Sequence, residues 1–425
     1  MSELTTAERA ALSAIDETAM VQLLLELLAI PSITGSAAES EIQHLLASRL
    51  ARMGLDVDLW SVDIDPLRSD PSFPGMEADR VEALGLVADT TASAEGPSLI
   101  LQGHVDVVPP GDLAQWAGKP FVPQVRGDVI HGRGACDMKA GLVANLAAIA
   151  AIQTSGVALQ GRLSAHCVVG EEDGGLGAFV TLRRGHTGDA CIITEPTSGT
   201  LTTANAGALT FTIRVPGQAT HGSTAYAGKS ALDAYLPIHQ ALKELERQRN
   251  AHVDPLMAEY PTAYCLAVGT IRAGDWSSSV PDLLVAEGRF GVALGEKLID
   301  AQAEFEHCVA SACHNDAWLR DHPAVISWTG GEFGSGRLPA GHPLGDLVRD
   351  SHAAVTDSAL LRERGAPYGS DLRLYTSVGV PTLHYGPGDV RDAHSPREQV
   401  RISDILTVTQ TLTVAAMRAV GPRSG

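Results

Sequence analysis

The sequence predicts an α/β fold: a discontinuous domain with a mixed sheet between helices, interrupted by an inserted α+β unit. Three observations carry this. Apolar strand-like runs alternate with helical segments from residue 55 to 194, strand pairs and two long helices replace them from about 206 to 328, and the alternation then resumes. The boundaries expected are 1–205 and 329–425 for the two parts of the larger domain and 206–328 for the insert.

In chain order, an amphipathic helix over 17–30 is stopped by Pro31, and a second over 38–53 ends at Gly54. Strands follow at 55–62, 81–88 and 98–105, the last carrying Leu99, Ile100 and Leu101. A short strand at 129–132 precedes a helix over 138–152 whose small residues suit close packing on a sheet. A strand at 162–169, a helix at 176–184 and a strand at 190–194 complete the first part. The insert reads as a strand at 209–215, a helix at 230–248, strands at 264–271 and 283–292, and a helix at 296–320. Beyond it lie a helix over 343–356, a turn through 365–370, a strand over 381–385 and a helix over 402–418.

Composition removes several function classes. The chain has 425 residues and a formal net charge of −19. A nucleic-acid binder needs a basic footprint, and so does a protein drawn to an anionic membrane surface, so neither partner is expected. Hydrophobic residues make up 44% of the chain, enough for large cores. The six cysteines include no Cys-x-x-Cys pair, which argues against a thiolate zinc site and for free thiols in a reducing compartment. The N-terminal segment shows no basic or apolar signal region, and no apolar run approaches the roughly 20 residues of a membrane span. A cytoplasmic location is the expectation.

The chemistry is concentrated at the ends of the expected strands. His104 and Asp106 stand two residues apart at the end of one strand and share a face. Open α/β sheets bind ligands at such ends. Gly132-Arg133-Gly134 leads to Asp137 at a helix start, Glu171-Glu172-Asp173 and Glu195 follow two further strands, and His394 follows the strand over 381–385. Each has a plain alternative: an acidic turn, an interior histidine, or a dinucleotide loop that here lacks its third glycine and faces an acidic residue. Five oxygen and imidazole donors at five strand ends of one sheet point elsewhere. Three carboxylates and two imidazoles, without a thiolate, suit two divalent ions.

Together, His104-x-Asp106, Gly-x-Gly-x-x-Asp137-Met-Lys, Gly-Glu171-Glu172, Glu195-Pro and Ala-His394-Ser resemble the M20 co-catalytic metallopeptidases and deacylases. That family includes acetylornithine deacetylase, succinyl-diaminopimelate desuccinylase, aminoacylases and glutamate carboxypeptidases. The wording around Gly274-Asp275-Trp276, Val280-Pro281-Asp282 and Glu287-Gly288-Arg289 is similar to the acetylornithine-deacetylase and desuccinylase branch.

The resemblance implies that Asp137 bridges two metals, with His104 and Glu195 completing one site and Glu172 and His394 the other. It implies that Asp106 holds the free ring nitrogen of His104, and that Glu171 is the general base, taking a proton from the metal-bridging water and passing it to the leaving amine. It also implies a cis Asp137–Met138 peptide. The inserted unit resembles a lid and dimerisation domain, in which His221 would reach the partner subunit's active site to stabilise the oxyanion. Arg289 and Arg373 are candidates for binding a substrate carboxylate, and Ser278 stands where the family often has asparagine.

The function expected is thus a dinuclear amidohydrolase removing an N-acyl group from an amino acid or related amine. It would carry two divalent ions per subunit, zinc with cobalt or manganese as alternatives, and form a homodimer through the insert. Its rivals are a dipeptidase or carboxypeptidase using the same site, a non-catalytic binding protein of the same fold, and a nicotinamide dehydrogenase.

Overall fold

Residues 3–91, 96–356 and 361–421 are described by the computed structural model, which divides into two units. The first comprises Met1–Ala204, Arg337–Arg364 and Asp371–Gly425; the second comprises Asn205–Gly336 and Gly365–Ser370.

Period-two burial builds the sheet of the first unit. Along Ser98–His104, Leu99 and Leu101 enter the larger core while Ile100 enters the smaller one on the other face. Ala190–Ile193 repeats the pattern, with Ile192 on the first side and Cys191 and Ile193 on the second. The larger core takes Leu27 of Glu17–Ala29, Ile42 of Ala37–Arg52, Leu142 of Lys139–Thr154 and Leu412 of Ile402–Val420. The smaller takes Ala178 of Leu176–Arg183 with Leu372 and Tyr375 of Leu372–Ser377. A fully buried Leu or Ile is worth about 1.5–3 kcal/mol, so these two layers decide the architecture.

Among the described residues the sheet has nine strands. Its order is Asp56–Ser61, Leu84–Asp89, Arg162–Val168, Ser98–His104, Ala190–Ile193, Thr382–His384, Leu201–Asn205, completed by Gly336–Arg337 and Glu363–Ala366. Arg162–Val168, Ser98–His104, Ala190–Ile193 and Thr382–His384 run parallel, and the flanking pairs are antiparallel, so the sheet is mixed. Glycine lets a helix lie close on the sheet: a Cβ on Gly141, in Lys139–Thr154, would lie 2.0 Å from the Thr194 carbonyl oxygen.

In the second unit a four-stranded antiparallel sheet orders Leu266–Ala273, Leu283–Val292, Gly207–Pro216 and Val325–Phe333. Leu209, Phe211, Ile213 and Val215 alternate into a core shared with Ile238 and Leu242 of Ala231–Arg249 and Phe305 and Val309 of Leu298–Asn315. No helix among the described residues is long and apolar enough to cross a membrane.

Several local readings differ from the sequence expectation for identifiable reasons. The strand expected at 81–88 begins at Leu84, because Val81 is wholly exposed while Arg80 turns inward. The helix expected to reach 320 stops at Asn315, where the Asp316 carboxylate accepts from the amides of Trp318 (2.8 Å) and Leu319 (2.9 Å) and starts a separate turn. The strand Leu201–Asn205 is buried throughout yet reads Leu-Thr-Thr-Ala-Asn, so hydrophobic periodicity does not mark it. The first helix, Thr6–Ser13, is signalled only by the Thr5/Glu8 capping box.

Candidate metal centre

Three parallel strands, Arg162–Val168, Ser98–His104 and Ala190–Ile193, end side by side, and the chain leaves each carrying a polar residue into the same crevice. His104 lies deepest. Its Nδ1 is 2.9 Å from the Asp106 carbonyl oxygen and donates to it, so Nε2 is the ring nitrogen turned toward the crevice. That nitrogen faces Asp137 Oδ1 at 3.3 Å, Glu195 Oε1 at 3.8 Å and Glu171 Oε2 at 4.0 Å. Burial opposes charge on this ring, but the Asp106 and Asp137 carboxylates outweigh it and raise His104 well above its ordinary value, so the crevice calls for positive charge, a proton on Nε2 or a cation in its place.

Asp137 occupies the junction between the glycine turn and Lys139–Thr154, and its peptide to Met138 is cis. Its two oxygens diverge: Oδ1 lies 3.3 Å from His104 Nε2, and Oδ2 lies 3.5 Å from His394 Nε2. His394 Nε2 is also 3.0 Å from Glu172 Oε2. The His394 backbone adopts φ 57, in the left-handed region, a cost usually found where function fixes the side chain.

The Asp106 carboxylate does something the sequence reading did not foresee. It lies 3.5 Å from His104 Nδ1, beyond the carbonyl of the same residue, and accepts instead from the amides of Glu171 (3.2 Å) and Glu172 (3.1 Å) and from Thr34 Oγ1 (3.0 Å). Asp106 therefore holds the ring through its backbone and the two glutamates through its side chain.

The electrostatics reflect crowded acids. Burial first, then Glu195, pushes the Glu171 carboxyl well above its ordinary value; burial and then Asp137 do the same to Glu195. Burial also works against ionisation of Asp137, but hydrogen bonds from His104 and His394 outweigh it and hold its carboxyl below the usual range. Glu172 above all, with Asp137, holds His394 up at about 11.

The residues present fit divalent cations. Single donor atoms of His104, Glu171 and Glu195 lie within 4.8 Å of one another, as do those of His104, Asp137 and Glu172. Glu172 Oε1 is buried and has no hydrogen-bond partner, an acceptor that a cation would satisfy. Carboxylate and imidazole donors without a thiolate suit hard or borderline ions.

With this geometry stand the comparisons with known proteins. Residues 100–418 match Peptidase family M20/M25/M40. The chain belongs to this family. It is a hydrolase of linear amide bonds. The N-formyl-4-amino-5-aminomethyl-2-methylpyrimidine deformylase of Halalkalibacterium halodurans is 27% identical over 92% of each chain. The succinyl-diaminopimelate desuccinylase of Wolbachia pipientis is 32% identical over 74% of this chain and 76% of its own. The solved structure of the di-peptidase Dug1p from Saccharomyces cerevisiae shares the fold with a TM-score of 0.79, covering 97% of this chain and 98% of that one at 14% identity.

Other buried polar side chains brace the turns that carry the cluster. Arg373 is buried and donates to the Gly174 carbonyl at 2.7 Å, bracing the turn that carries Glu171 and Glu172. Arg80 pairs with Asp173 at 3.0 Å on the same turn, and Glu39 accepts from the Gly170 amide at 3.0 Å. Asp371 is fully buried, accepts from Gln102 Nε2 at 2.8 Å and is lifted to about 6, by burial first. Sequence reasoning missed Glu39, Arg80 and Gln102, which lie in no motif and meet the site only through folding. The would-be dinucleotide loop is closed to phosphate: the amides of Cys136 and Asp137 donate to Glu398.

In the second unit, His221 is exposed and caps the Gly222–Ala227 turn. Its Nδ1 accepts from the Ser223 amide at 3.2 Å, which puts the ring proton on Nε2 and makes that nitrogen a donor. Arg289 is half-buried and donates to the Pro367 carbonyl at 3.1 Å.

Proposed function

We propose that this M20 hydrolase removes a small acyl group from the nitrogen of an amino acid or related amine, with two divalent cations at the cluster. The single observation that carries the two-cation reading is the divergence of the Asp137 oxygens, one toward each imidazole. Asp137 would be shared, His104 and Glu195 would hold one ion, and Glu172 and His394 the other. Bound there, such ions polarise an amide carbonyl and acidify a water molecule.

The chain's own residues supply the rest. Glu171, fixed by the Asp106 carboxylate through its amide, is the base that takes the proton of the attacking water and returns it to the leaving amine. Arg373 keeps the Glu171 turn in place. His221 Nε2 is the donor for the developing oxyanion, and Arg289 the anchor for a substrate carboxylate. The second unit exposes Leu232 and Leu236 one turn apart on Ala231–Arg249, with Ile299 on Leu298–Asn315, an apolar surface of the kind that supports a two-fold dimer. Zinc is the metal proposed, with cobalt or manganese as alternatives.

The deformylase and desuccinylase relatives favour N-acyl amines over peptides. A panel of N-formyl, N-acetyl and N-succinyl amines and dipeptides, each with added zinc, cobalt or manganese, tests this. Turnover of at least one N-acyl amine well above every dipeptide is the expected result. Efficient cleavage of dipeptides alone would move the assignment to a dipeptidase.

A further inference from the structure

Glu398 is 1% exposed and Arg133 likewise, and neither has a part in the chemistry above. Glu398 Oε1 accepts from the backbone amides of Cys136 and Asp137, both at 3.1 Å, and Oε2 accepts from Arg133 Nη1. Arg133 extends the connection outward. Its amide donates to the Pro120 carbonyl at 2.9 Å, and its guanidinium lies 5.2 Å from the centre of the Trp116 ring. One ion pair thus ties together the loop that follows Asp106, the turn that ends in Asp137 and the segment that starts at His394.

Stability alone does not account for such a pair. Two charges taken out of water lose solvation that their mutual attraction only roughly offsets, and a well-packed apolar pair of similar volume commonly folds as well. What an apolar pair cannot do is accept two amide protons. By holding the amides of Cys136 and Asp137, the Glu398 carboxylate fixes the peptide plane that enters Asp137, and with it the direction in which the Asp137 side chain leaves the backbone.

We propose that Glu398 is a positioning residue for Asp137, holding its carboxylate so that one oxygen is presented toward each histidine. This rests on the two-cation reading of the cluster. Glu398 touches no reacting atom, and no proton or bond changes hands at it. Because Asp137 faces both histidines, disturbing it weakens both ions together. Outer partners of metal-binding side chains typically contribute about 10–100-fold in metal affinity, and a weakening of that size is expected for Glu398→Ala.

The test uses the full chain, stripped with a chelator and titrated with zinc by calorimetry, with melting of the stripped chain followed in parallel. Wild type is expected to bind two equivalents. Glu398→Ala is expected to keep the near-UV spectrum of the stripped protein while both affinities fall about 10–100-fold. Glu398→Gln keeps an oxygen for the two amides but leaves Arg133 without its counter-charge, so its affinities should lie between the two.

A Glu398→Ala chain that folds and binds zinc with wild-type affinity overturns the proposal. So does a lowered melting temperature in the stripped variants with zinc affinities unchanged, which marks a purely structural pair. If Glu398→Ala does not fold, Glu398→Gln decides: weaker zinc binding supports the positioning role and unchanged binding overturns it. A wild-type chain that binds no divalent ion is a different result, one that removes the two-cation reading itself.

Discussion

Glu171→Ala is expected to lower kcat by about 10²–10⁴-fold while two divalent ions remain bound per chain. The size follows from the loss of a positioned proton carrier: the attacking water must then give up its proton to bulk solvent, and the amine must leave without one. Retention of metal is the sharper half of the result. Glu171 Oε2 lies 4.0 Å from His104 Nε2 and shares a 4.8 Å cluster with His104 and Glu195, so distance alone would admit it as a ligand. The assignment of Glu172 instead rests on its 3.0 Å approach to His394 and its unpartnered Oε1. Glu172→Ala should therefore lose metal first. Metal analysis of both variants checks this, and loss of a full equivalent from Glu171→Ala would exchange the two roles.

His221→Ala is expected to reduce kcat by about 10²–10³-fold, the cost of removing one preorganised oxyanion donor, or about 3–4 kcal/mol in the barrier. The Ser223 amide at Nδ1 fixes the ring with its proton on Nε2, the state a donor to an oxyanion needs, although His342 caps its helix through the same contact, so the kinetics decide the role. If the donor acts across a two-fold dimer, inactive Glu171→Ala chains mixed with inactive His221→Ala chains should regain activity. In the mixed dimer, intact His221 of one chain faces intact Glu171 of the other. Subunit exchange that is confirmed by mass spectrometry yet restores no activity rules out action in trans.

The first-unit fold is largely legible in the sequence because its strands are apolar and its helices are marked by Pro31, Gly54 and small residues at 140–148. Where the sheet is built from threonine, as in Leu201–Asn205, or where Asp316 interrupts a helix through two amides, periodicity carries no signal. The same division holds at the site. His104, Asp137, Glu171, Glu172, Glu195 and His394 are recognisable because each sits in a short motif at a strand end, and the structure brings all six together. Glu39, Arg80, Gln102 and Glu398 are not, because each acts on a backbone or side chain distant in sequence and its residue type has many other uses. Asp106 lies between these cases: its proximity to His104 is legible, but its grip on the Glu171 and Glu172 amides comes only with the fold.

The central claim, that two divalent cations at this cluster drive amide hydrolysis, is tested most directly by reconstitution. The purified chain is stripped with a chelator and titrated with zinc, cobalt or manganese while bound metal and hydrolysis of an N-acyl amine are followed together. The account predicts an inert stripped chain whose activity returns as two equivalents bind, and an Asp137→Ala chain that retains neither equivalent and stays inert. Full activity in the stripped chain, or wild-type activity in Asp137→Ala, would contradict it.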